Sequence, residues 1–221
     1  MTNKTIIISG KQGSGKTTLA NNLSRSLKSR MGYDVIHLTF AETIYKIHDF
    51  ALQELKNCGI ERDLVKDGYL LQLLGTEWGR QTVDEDIWVK CVLGKIKKDR
   101  EIYADSIGDL KNYKSNGLIH IISDCRFKNE FIYFPDALRV RLTAPEEMRK
   151  ARCSMWRDST GHPSETDLDK FSENGYFDIY QDTVQASEAH VTTTVLAQID
   201  KNNWKEKRSE VVKTHEIRLV D

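Results

Sequence analysis

Short apolar runs alternate with helically spaced leucines along the first part of the chain. The run Thr5-Ile6-Ile7-Ile8-Ser9 is continuous and β-branched, a pattern typical of a strand that is buried on both faces of a parallel sheet. After it, Leu19, Leu23 and Leu27 recur at every fourth position until Gly32, which predicts a helix with one apolar face. Glycines separate the two segments, so we expect a strand, a glycine-rich loop and a helix in this order.

The rest of the chain continues this alternation of strands and helices. Charged residues without periodicity over 95–117 predict an irregular surface connection. Thr143 and Glu146 have the spacing of a capping box, which predicts the start of an arginine-rich helix. The predicted elements are a strand over 33–40, helices over 44–55, 64–74 and from 87, strands over 118–123 and 137–142, a helix over 144–157, a strand over 176–180, a helix over 191–199 and a strand over 217–220.

Composition and charge exclude several classes of protein. The 221 residues are enough for one substantial core, and no shift in composition marks a second domain. Lys and Arg number 33, as do Asp and Glu, so no overall field draws the protein to nucleic acid or to a membrane. The four cysteines lack metal-ligand spacing, and no segment has the length of a signal-peptide core or a membrane span. We therefore expect reduced thiols and a cytoplasmic location.

The segment Gly10-Lys11-Gln12-Gly13-Ser14-Gly15-Lys16-Thr17 matches the P-loop pattern. Its glycines allow a tight loop whose backbone N–H groups converge on the phosphates of ATP, and the following helix adds the positive end of its dipole. Lys16 contributes a charge, and Thr17 a hydroxyl for Mg²⁺. The alternative is a glycine-rich turn with a surface lysine, but a strand before and a helix after favour the P-loop. The residues expected to bind ATP are Gly13, Ser14, Gly15, Lys16, Thr17 and Thr18.

Asp124 follows a buried strand, at the edge where open α/β sheets bind ligands. There it is able to hold Mg²⁺ or the acceptor of a phosphoryl group, and the alternative is a helix N-cap. Arg126 and Glu130, four residues apart, either form a surface ion pair or face one ligand. We favour an acceptor site in which Arg126 holds a phosphate and Glu130 contacts a hydroxyl or a base edge.

Arg149, Arg152 and Arg157 fall within about 140° of a helical wheel, so all three are able to face one anion. Transfer of a phosphoryl group between two polyanions needs such charge in a site closed to water, which predicts a lid. The alternative is a solvated basic face. The candidate catalytic residues are Lys16, Asp124, Arg126 and Arg152, and the candidates for holding Mg²⁺ are Thr17 and Asp124.

Four segments together resemble the phage-type deoxynucleoside monophosphate kinases, within the wider nucleoside monophosphate kinase group of P-loop enzymes. These segments are the P-loop, 71–80 with Asp86-Ile87-Trp88, 124–130 and 161–165. The resemblance implies that ATP lies on the P-loop and that a deoxynucleoside monophosphate lies between it and a helical insertion. The residues then expected to bind the acceptor are Lys11, Gln72, Gly75, Thr76, Trp88, Asp124, Arg126 and Glu130.

Two of these acceptor residues have an ordinary structural alternative. Trp88 offers a flat surface for a base or sugar, but a tryptophan spaced with Val92 and Ile96 on a helix equally fits a core. Gly75 and Thr76 allow close backbone approach and a hydroxyl contact, or else they end a helix with Gly75 as its cap.

The predicted fold class is α/β, a P-loop NTP-hydrolase-like three-layer sandwich with a parallel sheet of about five strands and helices on both faces. We expect one domain over 1–221, with a core of 1–40 and 118–221, a helical acceptor-binding insertion at about 41–117 and a lid at about 145–175.

The predicted function is ATP-dependent phosphorylation of deoxynucleoside monophosphates for DNA precursor supply, with ATP and Mg²⁺ as cofactors and a homodimer possible. In a phage-encoded protein the location would be the cytoplasm of the host. One alternative is a P-loop kinase of another phosphorylated metabolite such as phosphomevalonate. Another alternative, from a different class, is an ATP-dependent binding or switch module.

Overall fold

Five parallel strands form one sheet in the order β2-β3-β1-β4-β5. The computed structural model describes residues 3–60, 66–109, 114–154, 156 and 163–200. The strands are β1 (Lys4–Gly10), β2 (Asp34–Leu38), β3 (Leu118–Cys125), β4 (Leu138–Thr143) and β5 (Ile179–Asp182). The predicted α/β fold class with a five-stranded parallel sheet is confirmed.

Helices connect the strands and cover both faces of the sheet. A π-helix over Leu73–Val83 continues directly from α3. The α-helices are α1 (Lys16–Met31), α2 (Glu42–Asn57), α3 (Gly68–Gln72), α4 (Ile87–Asp109), α5 (Lys128–Ile132), α6 (Glu146–Ala151), α7 (Pro163–Thr166), α8 (Asp169–Glu173) and α9 (Glu188–Asp200).

The central strand β1 explains the two hydrophobic cores. Successive side chains of a strand point to opposite faces, so Ile6 and Ile8 face one layer and Ile7 faces the other. Ile6 and Ile8 belong to a cluster with the apolar stripes of α1 and α9. Ile7 belongs to a cluster with α4, in which Trp88, Val89 and further apolar residues are buried. Burial on both faces accounts for the unbroken β-branched sequence of this strand.

The order of strands places a crevice at the carboxyl edge of the sheet. β1 connects through α1 to β2 on one side, whereas β3 connects to β4 on the other side of β1. In open α/β sheets, ligands bind at the carboxyl ends of two neighbouring strands whose connections run in opposite directions along the sheet. The loops that follow β1 and β3 lie at this point.

Two predicted segments differ from the observed structure. The irregular connection expected over 95–117 is wrong for 95–109, because α4 continues to Asp109. Lys, Arg and Glu are good helix formers, and buried Ile96 holds this part of α4 against the core. The helix expected over 144–157 ends at Ala151.

The predicted capping box is also wrong. Pro145 is the N-cap of α6, while Thr143 remains on β4 with its hydroxyl 3.4 Å from the carbonyl oxygen of Gln181. Glu146 instead pairs with Lys150 at 2.6 Å. Thr143 is held in β4, two residues before the N-cap Pro145, so its side chain does not cap the helix.

The remaining expectations concern one strand that is shifted along the chain and segments that lie outside the described residues. The strand expected over 176–180 begins and ends later, at Ile179 and Asp182. Leu64, Val65 and the terminal strand over 217–220 lie outside the described residues. All four cysteines are free thiols. Among the residues described, no helix has both the length and the apolar character needed to cross a membrane.

Candidate active site

The phosphate loop, residues 10–17, joins β1 to α1 in a conformation that depends on two glycines. Gly13 and Gly15 have φ angles of 76° and 93°, in the left-handed region that disfavours side chains. A Cβ atom on Gly13 would also lie 2.4 Å from the carbonyl oxygen of Arg149, so the loop packs directly on the backbone of α6. Neither position accepts a side chain without strain.

This loop presents polar groups where the phosphates of ATP are expected. Among the described residues, no side chain caps α1 at Gly15, and the first turn of α1 carries no acidic residue. The hydroxyl of Ser14 is fully buried and has no hydrogen-bond partner within the described part of the chain. The first N–H groups of a helix are suitable donors for an oxyanion, whereas the Ser14 hydroxyl lies beneath the loop beside Gly10. The loop therefore fits the phosphates of ATP, with Thr17 and Thr18 in the first turn of α1.

The side chain of Lys16 turns back over the phosphate loop. Its Nζ donates hydrogen bonds to the carbonyl oxygens of Gly10 at 2.6 Å and Lys11 at 2.9 Å. Burial lowers the pKa of the Lys16 ammonium to about 7; the positive charge of Arg126 acts in the same direction, and the carboxylate of Glu165 opposes both. A phosphate placed beside this ammonium would stabilise its charged form.

A cavity of about 820 Å³, here named the donor cavity, opens beside the phosphate loop. Residues 13–19 form one wall, and residues 183–188, which join β5 to α9, form another. Arg152 also lines it and donates hydrogen bonds to the hydroxyl of Thr183 at 2.8 Å and to the carbonyl oxygen of Thr183 at 3.0 Å. The volume is sufficient for a nucleotide.

Asp124 lies half-buried at the end of β3. Its two carboxylate oxygens accept the backbone N–H groups of Phe40 at 2.8 Å and Ala41 at 3.0 Å, just before α2. Asp124 is therefore not a helix N-cap, since that position of α5 is Phe127; its carboxylate instead holds the backbone just ahead of α2. Burial raises the pKa of Asp124, and these two N–H groups lower it. Because a carboxylate has about four acceptor sites, both bonds leave positions for Mg²⁺ or its water.

Glu130 is buried in α5, and three donors surround its carboxylate. Oε1 accepts Arg80 Nη2 at 2.6 Å, and Oε2 accepts the backbone N–H groups of Arg126 at 2.7 Å and Phe127 at 3.1 Å. Burial, with the charge of Asp124, raises the pKa of Glu130 to about 7, and Arg80 opposes this shift. All three partners are donors, so they favour the ionised carboxylate and act against the rise in its pKa. A substrate hydroxyl or base edge would have to compete with them.

The side chains of Arg126 and Glu130 do not form the ion pair that was one of the two alternatives for their spacing. Arg126 Nη1 instead donates to Glu165 Oε1 at 2.5 Å. The other oxygen of Glu165 accepts the backbone N–H of Gln12, in the phosphate loop, at 3.0 Å. Glu165 therefore contacts both sides of the candidate site.

A second cavity, of about 620 Å³ and here named the acceptor cavity, opens beyond the end of β3. Its walls come from α2, α3, the π-helix and the residues that follow β3. The predicted acceptor-binding residues that line it are Gln72, Gly75, Thr76, Trp88, Asp124, Arg126 and Glu130. Lys11 does not line it, because its Nζ pairs with Asp169 at 2.9 Å. The fold thus brings together all the predicted acceptor residues except Lys11.

Trp88 lies beneath the acceptor cavity as part of the core. Its side chain is 1% exposed, and its Nε1 donates to the carbonyl oxygen of Gly75 at 2.8 Å. A Cβ atom on Gly79 would lie 2.4 Å from the Trp88 ring. The surface expected to face a base or sugar is therefore covered, and Trp88 supports the π-helix that carries Gly75 and Thr76. Gln72 is exposed on the cavity wall.

The arginines near α6 do not face one anion. Arg149 is buried, and its Nη1 donates to the carbonyl oxygen of Gln12 at 3.1 Å, which ties α6 to the phosphate loop. Arg152 follows the end of α6 and turns to Thr183. Arg157 lies outside the described residues. The predicted cluster is wrong for Arg149 and Arg152, because α6 ends at Ala151 and these two side chains bond to different segments.

Several residues of the site carried no signal that distinguished them in the sequence. The residues 183–188 of the donor cavity follow a short strand and match no known pattern. Glu165 was included in one of the segments of the resemblance, but its contacts with Gln12 and Arg126 depend on chain folding. Contacts between segments so far apart are not visible in local spacing.

The candidate metal ligands fit a site shared with phosphates. Within the described ranges, no three His, Cys, Asp or Glu side chains cluster into an all-protein metal site. Mg²⁺ in phosphoryl-transfer enzymes is usually held by one or two protein groups together with phosphates and water. The hydroxyl of Thr17, in the first turn of α1, and the carboxylate of Asp124, on the strand β3 that pairs with β1, would provide such a pair.

Comparisons with known proteins identify a family and similar folds. A family model described as an AAA domain matches residues 6–169. No curated protein sequence matches the chain. Among solved structures, TT1252 from Thermus thermophilus is similar, with 18% identity, 90% of this chain and 98% of that chain covered, and a TM-score of 0.46. Shikimate kinase from Acinetobacter baumannii in complex with shikimate is similar with 16% identity, coverages of 92% and 97%, and a TM-score of 0.47.

Proposed function

The chain belongs to the AAA domain family, and we propose that it is an ATP-dependent kinase that converts deoxynucleoside monophosphates to diphosphates. The family match spans the phosphate loop and all the elements that line the acceptor cavity. It does not specify the acceptor, so the substrate is argued below from the two cavities. The proposed location is the cytoplasm, where the free thiols would remain reduced.

Two cavities on either side of one group of charges carry this proposal. Lys16 lines the donor cavity, whereas Asp124 and Arg126 line the acceptor cavity. The three charges are close enough for both Asp124 and Arg126 to shift the pKa of Lys16. An ATP-driven switch needs only the donor side. A second cavity with an arginine at its inner end supports an acceptor that carries its own phosphate.

The other walls of the acceptor cavity suit a nucleoside. Phe40, Ile44 and Leu71 provide apolar surface, on which a base or a deoxyribose can be buried. Gln72 and Thr76 provide an amide and a hydroxyl, which are able to bond to polar edges of a base or to a sugar hydroxyl. Gly75 allows the substrate to approach the backbone closely.

The residues of the site would position two phosphates for direct transfer. Bound ATP supplies the phosphoryl group, and Mg²⁺ neutralises its charge. The phosphate loop and Lys16 hold the donor phosphates, and Arg126 holds the phosphate of the acceptor. With a second pKa near 6, the acceptor phosphate is already ionised at neutral pH, so an attacking oxygen needs no general base. Orientation and charge stabilisation provide the catalysis.

A screen of acceptors tests the proposal. The full-length protein is incubated with ATP and Mg²⁺ and with each of the four deoxynucleoside monophosphates, their ribonucleotide counterparts or phosphomevalonate, and ADP formation is followed. We expect ADP formation that depends on at least one deoxynucleoside monophosphate. The Lys16→Ala variant should lose at least about 100-fold in turnover, because the positive charge that holds the donor phosphates is removed. Its unfolding midpoint should change little.

Two results would contradict the proposal in different ways. Transfer to phosphomevalonate but to no nucleotide would identify a kinase of another metabolite. ATP consumption that is independent of every acceptor would identify a hydrolase or a switch.

A further inference from the structure

An acidic segment lies beside the acceptor cavity and contacts the phosphate loop. This segment, residues 163–173 and here named the acidic strap, comprises α7 and α8. It carries a carboxylate at every second position from 165 to 169, and each one has a basic partner. The pairs are Glu165 with Arg126 at 2.5 Å, Asp167 with Lys128 at 3.5 Å, and Asp169 with Arg141 at 2.7 Å and with Lys11 at 2.9 Å.

Glu165 differs from the other two acids in what it joins. Its side chain is 8% exposed, whereas those of Asp167 and Asp169 are 26% and 35% exposed. One of its oxygens accepts the N–H of Gln12 in the phosphate loop, and the other accepts the guanidinium of Arg126 on the acceptor side. An ionised carboxylate only accepts hydrogen bonds, so both donors are fixed by the same rigid group.

The position of Glu165 is unusual for an acid. A carboxylate near the phosphates of two bound substrates would repel them if it were unpaired, because like charges at short range are unfavourable. Here its charge is paired with Arg126, which has five N–H donors and can bind a carboxylate and a phosphate at once. The neighbouring residue Ser164 lines the acceptor cavity. These contacts favour a role in orienting Arg126 over a direct contact with substrate.

We propose, on the basis of the function proposed above, that Glu165 is a positioning residue for phosphoryl transfer. It fixes Arg126 relative to the phosphate loop, so that the acceptor phosphate is held in line with the phosphoryl group of the donor. A displacement of about 1 Å between reacting groups can lower a rate about 100-fold, so a single rigid link between the two sides has a large effect.

The Glu165→Gln variant of the full-length protein tests this role. Glutamine has nearly the same size and keeps an oxygen for the N–H of Gln12, but it loses the charge that orients Arg126. We expect kcat/KM for the deoxynucleoside monophosphate to fall about 10- to 100-fold, in line with the loss of one charged hydrogen bond. The Kd for ATP should change less than about threefold, because the phosphate loop keeps its other contacts.

Asp167→Asn is the matched control. It makes the same change from acid to amide two residues away in the acidic strap, and among the described residues the side chain of Asp167 bonds to Lys128 alone. This variant should keep kcat/KM within about twofold of the wild type, since exposed ion pairs contribute little. In an Arg126→Met background, Glu165→Gln should have almost no additional effect, because the group that it orients is gone.

The outcomes separate this inference from the proposed function. A wild-type protein that phosphorylates no acceptor overturns both. With an active wild type, equal losses in Glu165→Gln and Asp167→Asn would show that the acidic strap is only a structural anchor. A faster Glu165→Gln variant would make Glu165 a brake, and full additivity with Arg126→Met would show that the two residues act separately. Each of these three results overturns the positioning role alone.

Discussion

At the scale of single residues, Lys16 shows how burial prepares a side chain for its ligand. Within the described part of the chain, its Nζ bonds only to carbonyl oxygens of the phosphate loop, which do not carry a full charge. Desolvation of the ammonium is therefore incompletely offset, and the pKa of Lys16 falls to about 7. Donor phosphates beside this group would supply the missing negative charge and raise the pKa again.

This shift predicts that ATP binding takes up a proton from solvent at alkaline pH. Well below pH 7, Lys16 is charged with and without ATP, so it contributes no uptake. At about pH 8.5 it is mostly neutral in the free protein and charged in the complex, so we expect uptake approaching one proton. Calorimetry in buffers of different ionisation enthalpy measures this number at each pH.

The Lys16→Arg variant is the control for this measurement. Arginine remains charged throughout the range, so the alkaline uptake should vanish. Equal uptake by wild type and variant would mean that another group titrates.

The candidate site residues divide by how local their partners are. The shape of the phosphate loop was predictable, because its glycines, its lysine and its hydroxyl lie within eight positions. The partners of Glu130 and Lys11 were not, because Arg80 and Asp169 come from distant segments. Local spacing left open whether the side chains of Arg126 and Glu130 form an ion pair, and in the fold each side chain pairs with a different residue.

At the scale of secondary structure, the π-helix is the element that local sequence describes least well. Such helices usually extend for a single turn, and here one runs over Leu73–Val83. Two of its glycines meet other elements: Gly75 accepts a bond from Trp88, and Gly79 lies against the Trp88 ring. Its geometry therefore depends on packing against α4, which the sequence of 73–83 alone does not contain.

Two glycine substitutions test this packing. In Gly79→Ala, the new Cβ would lie 2.4 Å from the Trp88 ring and 2.6 Å from the Leu74 carbonyl oxygen, so we expect a loss of about 1–3 kcal/mol of stability from overpacking. In Gly94→Ala, inside α4, nothing lies within 4 Å of the new Cβ. That control should gain about 0.5–1 kcal/mol, because alanine favours the helix. Urea unfolding measures both changes.

A Gly79→Ala variant as stable as the wild type would show that the π-helix and Trp88 can separate at no cost. Its acceptor kinetics would then reveal whether the wall of the acceptor cavity had moved.

The strands were more predictable than the helices. Strands buried on both faces are predominantly apolar, as 5–9 and 118–123 are, and this requirement leaves a clear signal. The length of a surface helix depends on weaker preferences. Charged residues continued α4 to Asp109, whereas α6 ended at Ala151 although its arginine-rich sequence continues.

At the scale of the whole molecule, the two cavities predict how linked substrates should bind. An adenosine and a deoxynucleoside joined through a polyphosphate would occupy both cavities if the charges between them accept one continuous phosphate chain. We expect such a compound to bind at least about 100-fold more tightly than ATP or the monophosphate alone. Once one half of the compound is bound, the other half binds without a further loss of translational and rotational freedom. Calorimetry or thermal unfolding measures this.

A compound of the same type with two fewer phosphates is the matched control, since its chain is too short to reach both cavities. Equal affinity of the long and short compounds would show that the cavities do not accept ligands together.

The strand order also has a consequence for synthesis of the protein. β1 pairs on one side with β3 and on the other with β4, and both follow in the second half of the chain. At about 5–20 residues per second, the ribosome needs on the order of 10 s to make these partners after β1 has emerged. During that interval Ile6, Ile7 and Ile8 belong to a nascent chain whose sheet does not yet exist. Slower translation lengthens this exposure, so recovery of the protein should depend on chaperones that bind apolar segments near the ribosome.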